Sequence, residues 1–268
     1  MTTYNHFDQR IHQLCQIIAK VNRTYVPKKA DDSHTNLYYD SVSERMVGRW
    51  IVTPKGKGLL AFNINTQTFE WLDETLAVKA QITAIGKTDD EIEIDLVPIL
   101  QSYGLDTQEV RIPLHFEIPK YPFYNQPIEP FHILHLEEWK SYRTLANEVF
   151  ATILGSLQIE SEVRIWPHHF DTGIYVEPHQ HIGIGMGLAM EDSMVGAPYF
   201  YIAGYPLKAG EIDFQNRPTL KNGQWRIKSN WKGGILSLAT LLKNGGDRKA
   251  TVLAFYKTTI DWYLNQPS

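Results

Sequence analysis

The chain opens on a helical rhythm. Phe7, Ile11, Leu14, Cys15, Ile18 and Val21 recur at three- and four-residue spacing with polar residues opposite, the mark of an amphipathic helix. Pro27 and the polar residues 28–35 end it. From residue 37 to about 87 the rhythm becomes two-residue. Trp50, Val52, Leu60, Phe62, Ile64 and Phe69 alternate with polar or small neighbours, and Thr53-Pro54-Lys55-Gly56-Lys57-Gly58 supplies turn chemistry. Glu91-Ile92-Glu93-Ile94 reads as a short alternating strand. Asp95 is placed to cap a helix running to about Tyr103, with Pro98 in its first turn and Gly104 at its end. Residues 110–116 read as one more strand.

Pro119, Tyr121, Pro122, Phe123, Tyr124, Pro127 and Pro130 then crowd one stretch. Such a stretch is extended and short of donors. It fits a connector between lobes or, failing that, an aromatic pocket wall. A long helix follows over residues 137–157, its apolar stripe running through Trp139, Tyr142, Leu145, Ala146, Val149, Phe150, Ile153 and Leu154. Residues 163–176, 182–190 and 198–205 read as strands, and residues 235–243 and 247–264 as closing helices split by Asn244-Gly245-Gly246. Gly233-Gly234 reads as a turn into the first of them. The pattern predicts an α+β protein, antiparallel sheets flanked by helices, in which each half runs helix, strands, helix. The expected layout is an N-terminal lobe over residues 1–118, a connector over 119–130 and a C-terminal lobe over 131–268.

Composition narrows the class. The 268 residues are 43% hydrophobic and 21% charged, ordinary globular usage, and a chain of this length can bury its core without staples. A net charge of −4 and the absence of a basic run beyond Pro27-Lys28-Lys29 argue against a nucleic-acid partner. The single Cys15 rules out an intramolecular disulfide framework. No signal-like start is present, and the longest apolar run, residues 235–242, is far short of the ~20 residues that cross a bilayer. The expectation is a soluble cytoplasmic protein without a membrane partner.

Three segments carry a resemblance. They are Trp166-Pro167-His168-His169-Phe170-Asp171, Pro198-Tyr199-Phe200-Tyr201-Ile202-Ala203-Gly204-Tyr205-Pro206, and Trp231 followed by Ile235-Leu236-Ser237-Leu238-Ala239-Thr240-Leu241-Leu242. With the opening helix around Ile17-Ile18-Ala19-Lys20-Val21, they resemble the bacterial domain-of-unknown-function family 5996 over most of the chain. The resemblance implies no established activity. It matches Phe170-Asp171 and the Pro-x-Phe-Tyr of residues 198–201, whereas the His-x-His here is not a feature the resemblance carries over.

Candidate chemistry collects in residues 168–181, which hold four of the ten histidines. On one straight strand Glu177, His179 and His181 share a face, the inventory of a two-His-one-carboxylate site for Zn or Fe(II). If Thr172-Gly173 turns a hairpin, His168 lies opposite Glu177. If the strand runs through, as the resemblance implies, His169 and Asp171 share that face about 20–26 Å away. The same residues also fit a hydrogen-bonded structural cluster or a solvated loop, since Pro178 interrupts the strand. Gly173 with His179-Gln180-His181 matches half of a cupin metal motif, but Gly185 and Met186 stand where its Glu belongs. Gly183-Ile184-Gly185-Met186-Gly187 has no phosphate-loop frame.

Aromatic residues supply the other candidates. His169, Asp171, Tyr175, Tyr199, Tyr201 and Trp231 are the expected lining of a small-molecule pocket in the C-terminal lobe, since pockets combine apolar walls with a few placed polar groups. Asp171 is expected to be buried and hydrogen-bonded. Three functions follow from this reading: a small-molecule binder, a metal-dependent hydrolase or oxygenase at residues 177–181, or an interaction or scaffolding protein whose aromatics are core.

Overall fold

The computed structural model describes residues 2–208 and 210–266. The protein is α+β, its sheets antiparallel. The chain forms two compact units: the first holds Thr2–Tyr142 and Arg164–Phe170, the second residues 143–163 and 171–266. The long helix α3 (Ile133–Leu157) contributes to both.

In the first unit α1 (Thr2–Tyr25) buries the whole predicted stripe from Phe7 to Val21. Six short strands form its sheet: β1 (Tyr38–Asp40), β2 (Arg45–Val47), β3 (Ile51–Thr53), β4 (Gly56–Asn63), β5 (Thr68–Asp73) and β6 (Val78–Thr83). Their order is β1-β2-β4-β5-β6 with β3 also on β4. Met46, Phe62, Phe69 and Ile82 line up across it and are all buried.

Residues 91–94 are not a strand. They open α2 (Asp89–Ser102), which Thr88 and Glu91 start with a reciprocal capping box. The Glu-Ile-Glu-Ile alternation misleads because one isoleucine is a surface residue. Ile92, Leu96 and Leu100 form the buried helical face, while Ile94 is 52% exposed. Glu93 is buried and paired with Lys20 at 2.6 Å. Pro98 falls inside this helix rather than in its first turn. Its ring and Ile94 are both exposed, so the carbonyl it leaves without a donor can turn to water.

Residues 110–116 are also not a strand. Arg23 gathers the carbonyls of Glu109, Ile112 and Pro113 at 2.9–3.1 Å, which fastens this stretch to α1 through a side chain instead of a ladder. Residues 119–130, read from sequence as a connector, lie inside the first unit. Their donors are not missing. Ile128 exchanges backbone hydrogen bonds with Gly86 and Lys87, and Asn125 bonds Asp89 and Asp90.

The sequence reads residues 163–176 as one strand, and the structure breaks it. β7 (Arg164–Trp166) bridges Leu37 in the first unit, a turn follows at residues 167–170, and β8 (Asp171–His179) begins the second unit. Phe170 takes a left-handed conformation, φ 54°, and His12 holds the turn. Its Nε2 lies 2.8 Å from the Pro167 carbonyl, which can only accept, and its ring stacks on Phe170.

The second unit continues with β9 (Ile182–Ala189), β10 (Tyr199–Pro206), β11 (Gln224–Lys228), β12 (Trp231–Ser237), α4 (Leu238–Asn244) and α5 (Arg248–Leu264). Its strands run in the order β11-β12-β10-β9-β8. Gly233-Gly234 is mid-strand, and the apolar run begins as β12, with Ile235 opposite Tyr201 and Leu236 opposite Phe200. The helix starts only at Leu238, where Ser237 accepts from the Thr240 N–H. A glycine at 234 makes room for Phe255 and Thr259 of α5, 3.3 Å from where its Cβ would stand. Among the described residues no helix is long and apolar enough to cross a membrane.

Candidate functional site on the tyrosine face

Register sorts the second unit's sheet into two faces. Thr172, Ile174, Val176, Ile184, Met186, Leu188, Phe200, Ile202 and Leu236 share one face and are buried. α3 and α5 cover it: Phe150 meets Phe200 and Tyr256, and Arg143 donates to Thr172 Oγ1 at 2.7 Å. The other face carries Asp171 and Tyr175 from β8, Gly183, Gly185 and Gly187 from β9, and Tyr199, Tyr201 and Tyr205 from β10. Trp231 of β12 and Arg226 of β11 complete it.

The three glycines make this face possible. A Cβ on Gly187 would stand 2.7 Å from Tyr201 Cε1, and one on Gly183 would collide with the Tyr175 hydroxyl. On Gly185 it would come within 3.2 Å of Tyr205 Cε2. The tyrosines therefore lie across β9, where glycine alone lets rings approach the backbone so closely. Tyr201 reaches from β10 over Gly187 to β8 and donates its hydroxyl proton to Asp171 Oδ2 at 2.5 Å.

Asp171 is 5% exposed and hydrogen-bonded, as the sequence predicted, and its second oxygen, Oδ1, has no hydrogen-bond partner among the described residues. Burial, then the Asp171 charge, holds the Tyr201 phenol well above its ordinary pKa. Tyr199 donates to Asp192 at 2.7 Å and is raised by burial first, then by Asp192 and Asp171, with Arg226 pulling the other way. Tyr205 is raised by burial and Asp171, and Tyr175 by burial and Glu177. All four phenols are thus held above their ordinary pKa, Tyr199, Tyr201 and Tyr205 in part by Asp171 and Tyr175 in part by Glu177. Arg226 Nε is buried without a hydrogen-bond partner among the described residues.

At one end this face opens into a cavity. β10 pairs with β12 only from Tyr199 to Ile202. Beyond that point residues 203–206 stay with β9, and residues 231–233 stay with β11. Where the strands part lies a cavity of about 330 Å³, walled by Tyr205, Phe214, Trp231 and Ile212 and rimmed by Glu211 and Lys232.

Of the expected pocket residues, Asp171, Tyr175, Tyr199, Tyr201 and Trp231 share the tyrosine face, and Trp231 lines the cavity. His169 lies in the turn of the first unit, its ring tilted against that of His168 with centroids 4.3 Å apart. The metal reading is corrected. Among the described residues no group of three His, Cys, Asp or Glu could hold a metal ion. The shared face assumed for Glu177, His179 and His181 fails because register shifts between Val176 and His179, around Pro178, and the hairpin turns before Ile182. His179 and His181 stack at 5.5 Å instead. Sequence reasoning missed Asp192, Arg226 and the glycines as parts of this face. The available signal was the pairing of glycine at every second place in 183–187 with tyrosine at every second place in 199–205 save Ala203.

No protein-family model, curated protein or solved structure matches the chain. The chemistry of the site rests on its own residues.

Proposed function

We propose that the protein binds a small molecule in its C-terminal unit, in the cavity where β10 and β12 part. The observation that carries this reading is the cavity itself. Its ~330 Å³ falls in the range of about 300–1,000 Å³ typical of ligand sites, and its aromatic wall with a few polar groups matches their usual make-up. Two of its aromatic residues, Tyr205 and Trp231, belong to a face that is polar where its counterpart is core.

The test is a fragment screen by ligand-observed NMR on the full chain and on Ser229→Trp. Ser229 is exposed in the turn between β11 and β12 and lines the cavity. An indole there blocks the mouth without touching the core. Fragments that bind the natural chain and are lost in the variant support the reading. A screen with no fragment sensitive to Ser229→Trp contradicts it.

A further inference from the structure

Glycine follows asparagine twice in the chain, at Asn222-Gly223 and Asn244-Gly245. The fold brings these two steps together: Asn244 Nδ2 donates to Asn222 Oδ1 at 3.1 Å. An asparagine followed by glycine is open to attack on its own side chain. With no Cβ on the next residue, that residue's backbone nitrogen can swing toward the asparagine Cγ unhindered. The two steps share this chemistry but not their surroundings.

Gly223 is packed in. It directly precedes β11 and takes φ 89°, and a Cβ there would stand 2.4 Å from the Ile235 carbonyl oxygen and 3.1 Å from Phe255 Cε2. Asn222 and Gly223 are both half-buried. The peptide between them cannot turn without pulling away from β12 and α5. Gly245 stands open. Asn244 is the last residue of α4, and residues 244–248 are all exposed. A Cβ on Gly245 or Gly246 would meet nothing within 4 Å, and both take positive φ, 64° and 77°. Among the described residues the Gly245 N–H donates to no acceptor.

We propose that Asn244 is a site of spontaneous deamidation in the folded protein, while Asn222 is protected by its packing. The Gly245 nitrogen, giving up its proton to hydroxide, attacks Asn244 Cγ. The new N–Cγ bond closes a succinimide, and the Cγ–Nδ2 bond breaks to release ammonia. Water then opens the ring at Cγ to give aspartate, or at the main-chain carbonyl of residue 244 to give isoaspartate. Either product adds a carboxylate at the C-terminal end of α4, the end at which a helix dipole disfavours negative charge. The donor to Asn222 Oδ1 leaves with the amide, because a carboxylate only accepts.

The test is incubation of the full chain at mildly alkaline pH, with and without denaturing urea, followed by peptide mapping by mass spectrometry. In the fold, Asn244 is expected to convert at least about tenfold faster than Asn222, which must wait for local opening. In urea the two steps, both Asn-Gly, should convert at similar rates. Asn244→Gln, at an exposed position and unable to close the five-membered ring, should stop the acidic form of the native chain from accumulating on isoelectric focusing. Asn244 staying intact in the native chain, or Asn222 converting there as fast or faster, overturns the proposal. So does an acidic form that accumulates equally fast in Asn244→Gln.

Discussion

On β9, Ile184, Met186 and Leu188 face the helices, while Gly183, Gly185 and Gly187 face the other way. One strand thus builds two surfaces of opposite kind. The helix face is filled mainly by apolar side chains of its own sheet that meet Phe150, Phe255 and Tyr256, and the one hydroxyl among them, Thr172, accepts from Arg143. On the tyrosine face β9 gives up its side chains, and rings from the strands on either side lie in the space. What separates a core from a candidate site here is polar accounting. On the tyrosine face the Tyr201 hydroxyl donates to Asp171, whose second oxygen is left over among the described residues, and a buried polar atom without a partner is the exception in folded proteins.

The largest expected effect lies on the helix face. Phe200→Ala removes a fully buried ring and should cost about 3–5 kcal/mol of stability, read by denaturant unfolding. A cost under about 1 kcal/mol would show that this face is not the core. Next comes Tyr201→Phe, which takes from Asp171 the hydroxyl it accepts. Losing a hydrogen bond to a charged group should cost about 1.5–3 kcal/mol. The same variant sharpens the pH dependence. Because the fold holds the Tyr201 phenol above its ordinary pKa, its contribution is fully present below pH ~10 and is lost as pH rises beyond it. Stability of the natural chain should therefore fall more steeply above pH ~10 than that of Tyr201→Phe. Equal slopes would mean that this phenol ionises as freely in the fold as outside it.

Glycine substitutions give the smallest and finest comparison. Gly187→Ala drives a Cβ into the Tyr201 ring and should cost about 1–3 kcal/mol, as overpacking does. Gly185→Ala meets only the edge of Tyr205, at 3.2 Å on a half-exposed ring. That ring can yield, and alanine regains the ~0.5–1 kcal/mol that glycine forfeits in a strand. The difference between the two variants, measured by thermal unfolding, should be at least about 1 kcal/mol. Equal costs would mean that the rings do not lie across the strand as described.

Much of this contrast is written in the sequence, but not in its apolar pattern. Periodicity located α1, α3, α5 and the strands β9 and β10, and it ran β8 together with β7 across the turn at residues 167–170. It misread residues 91–94, where Ile94 is apolar yet exposed and the capping box of Thr88 and Glu91 decides. It misread Gly233-Gly234 as a turn, because a glycine that admits Trp231 or Phe255 looks in sequence like one that bends the chain. The candidate set Asp171, Tyr175, Tyr199, Tyr201 and Trp231 came out on one face because strand alternation holds there. The 177–181 set did not, because Pro178 shifts the register. Arg226 and Asp192 were beyond reach, since only pairing through β12 and the loop before Tyr199 brings them to the cluster.

The central claim is that the tyrosine face ends in a ligand site while the helix face is structural. Amide chemical-shift mapping of the full chain during titration with a fragment from the screen tests it most directly. The account predicts shifts concentrated in residues 203–206 and 229–232, with the Trp231 indole N–H among the largest, and little change at Ile184, Met186 and Leu188. Saturable shifts confined to other parts of the chain, with residues 203–206 and 229–232 unmoved, would contradict it.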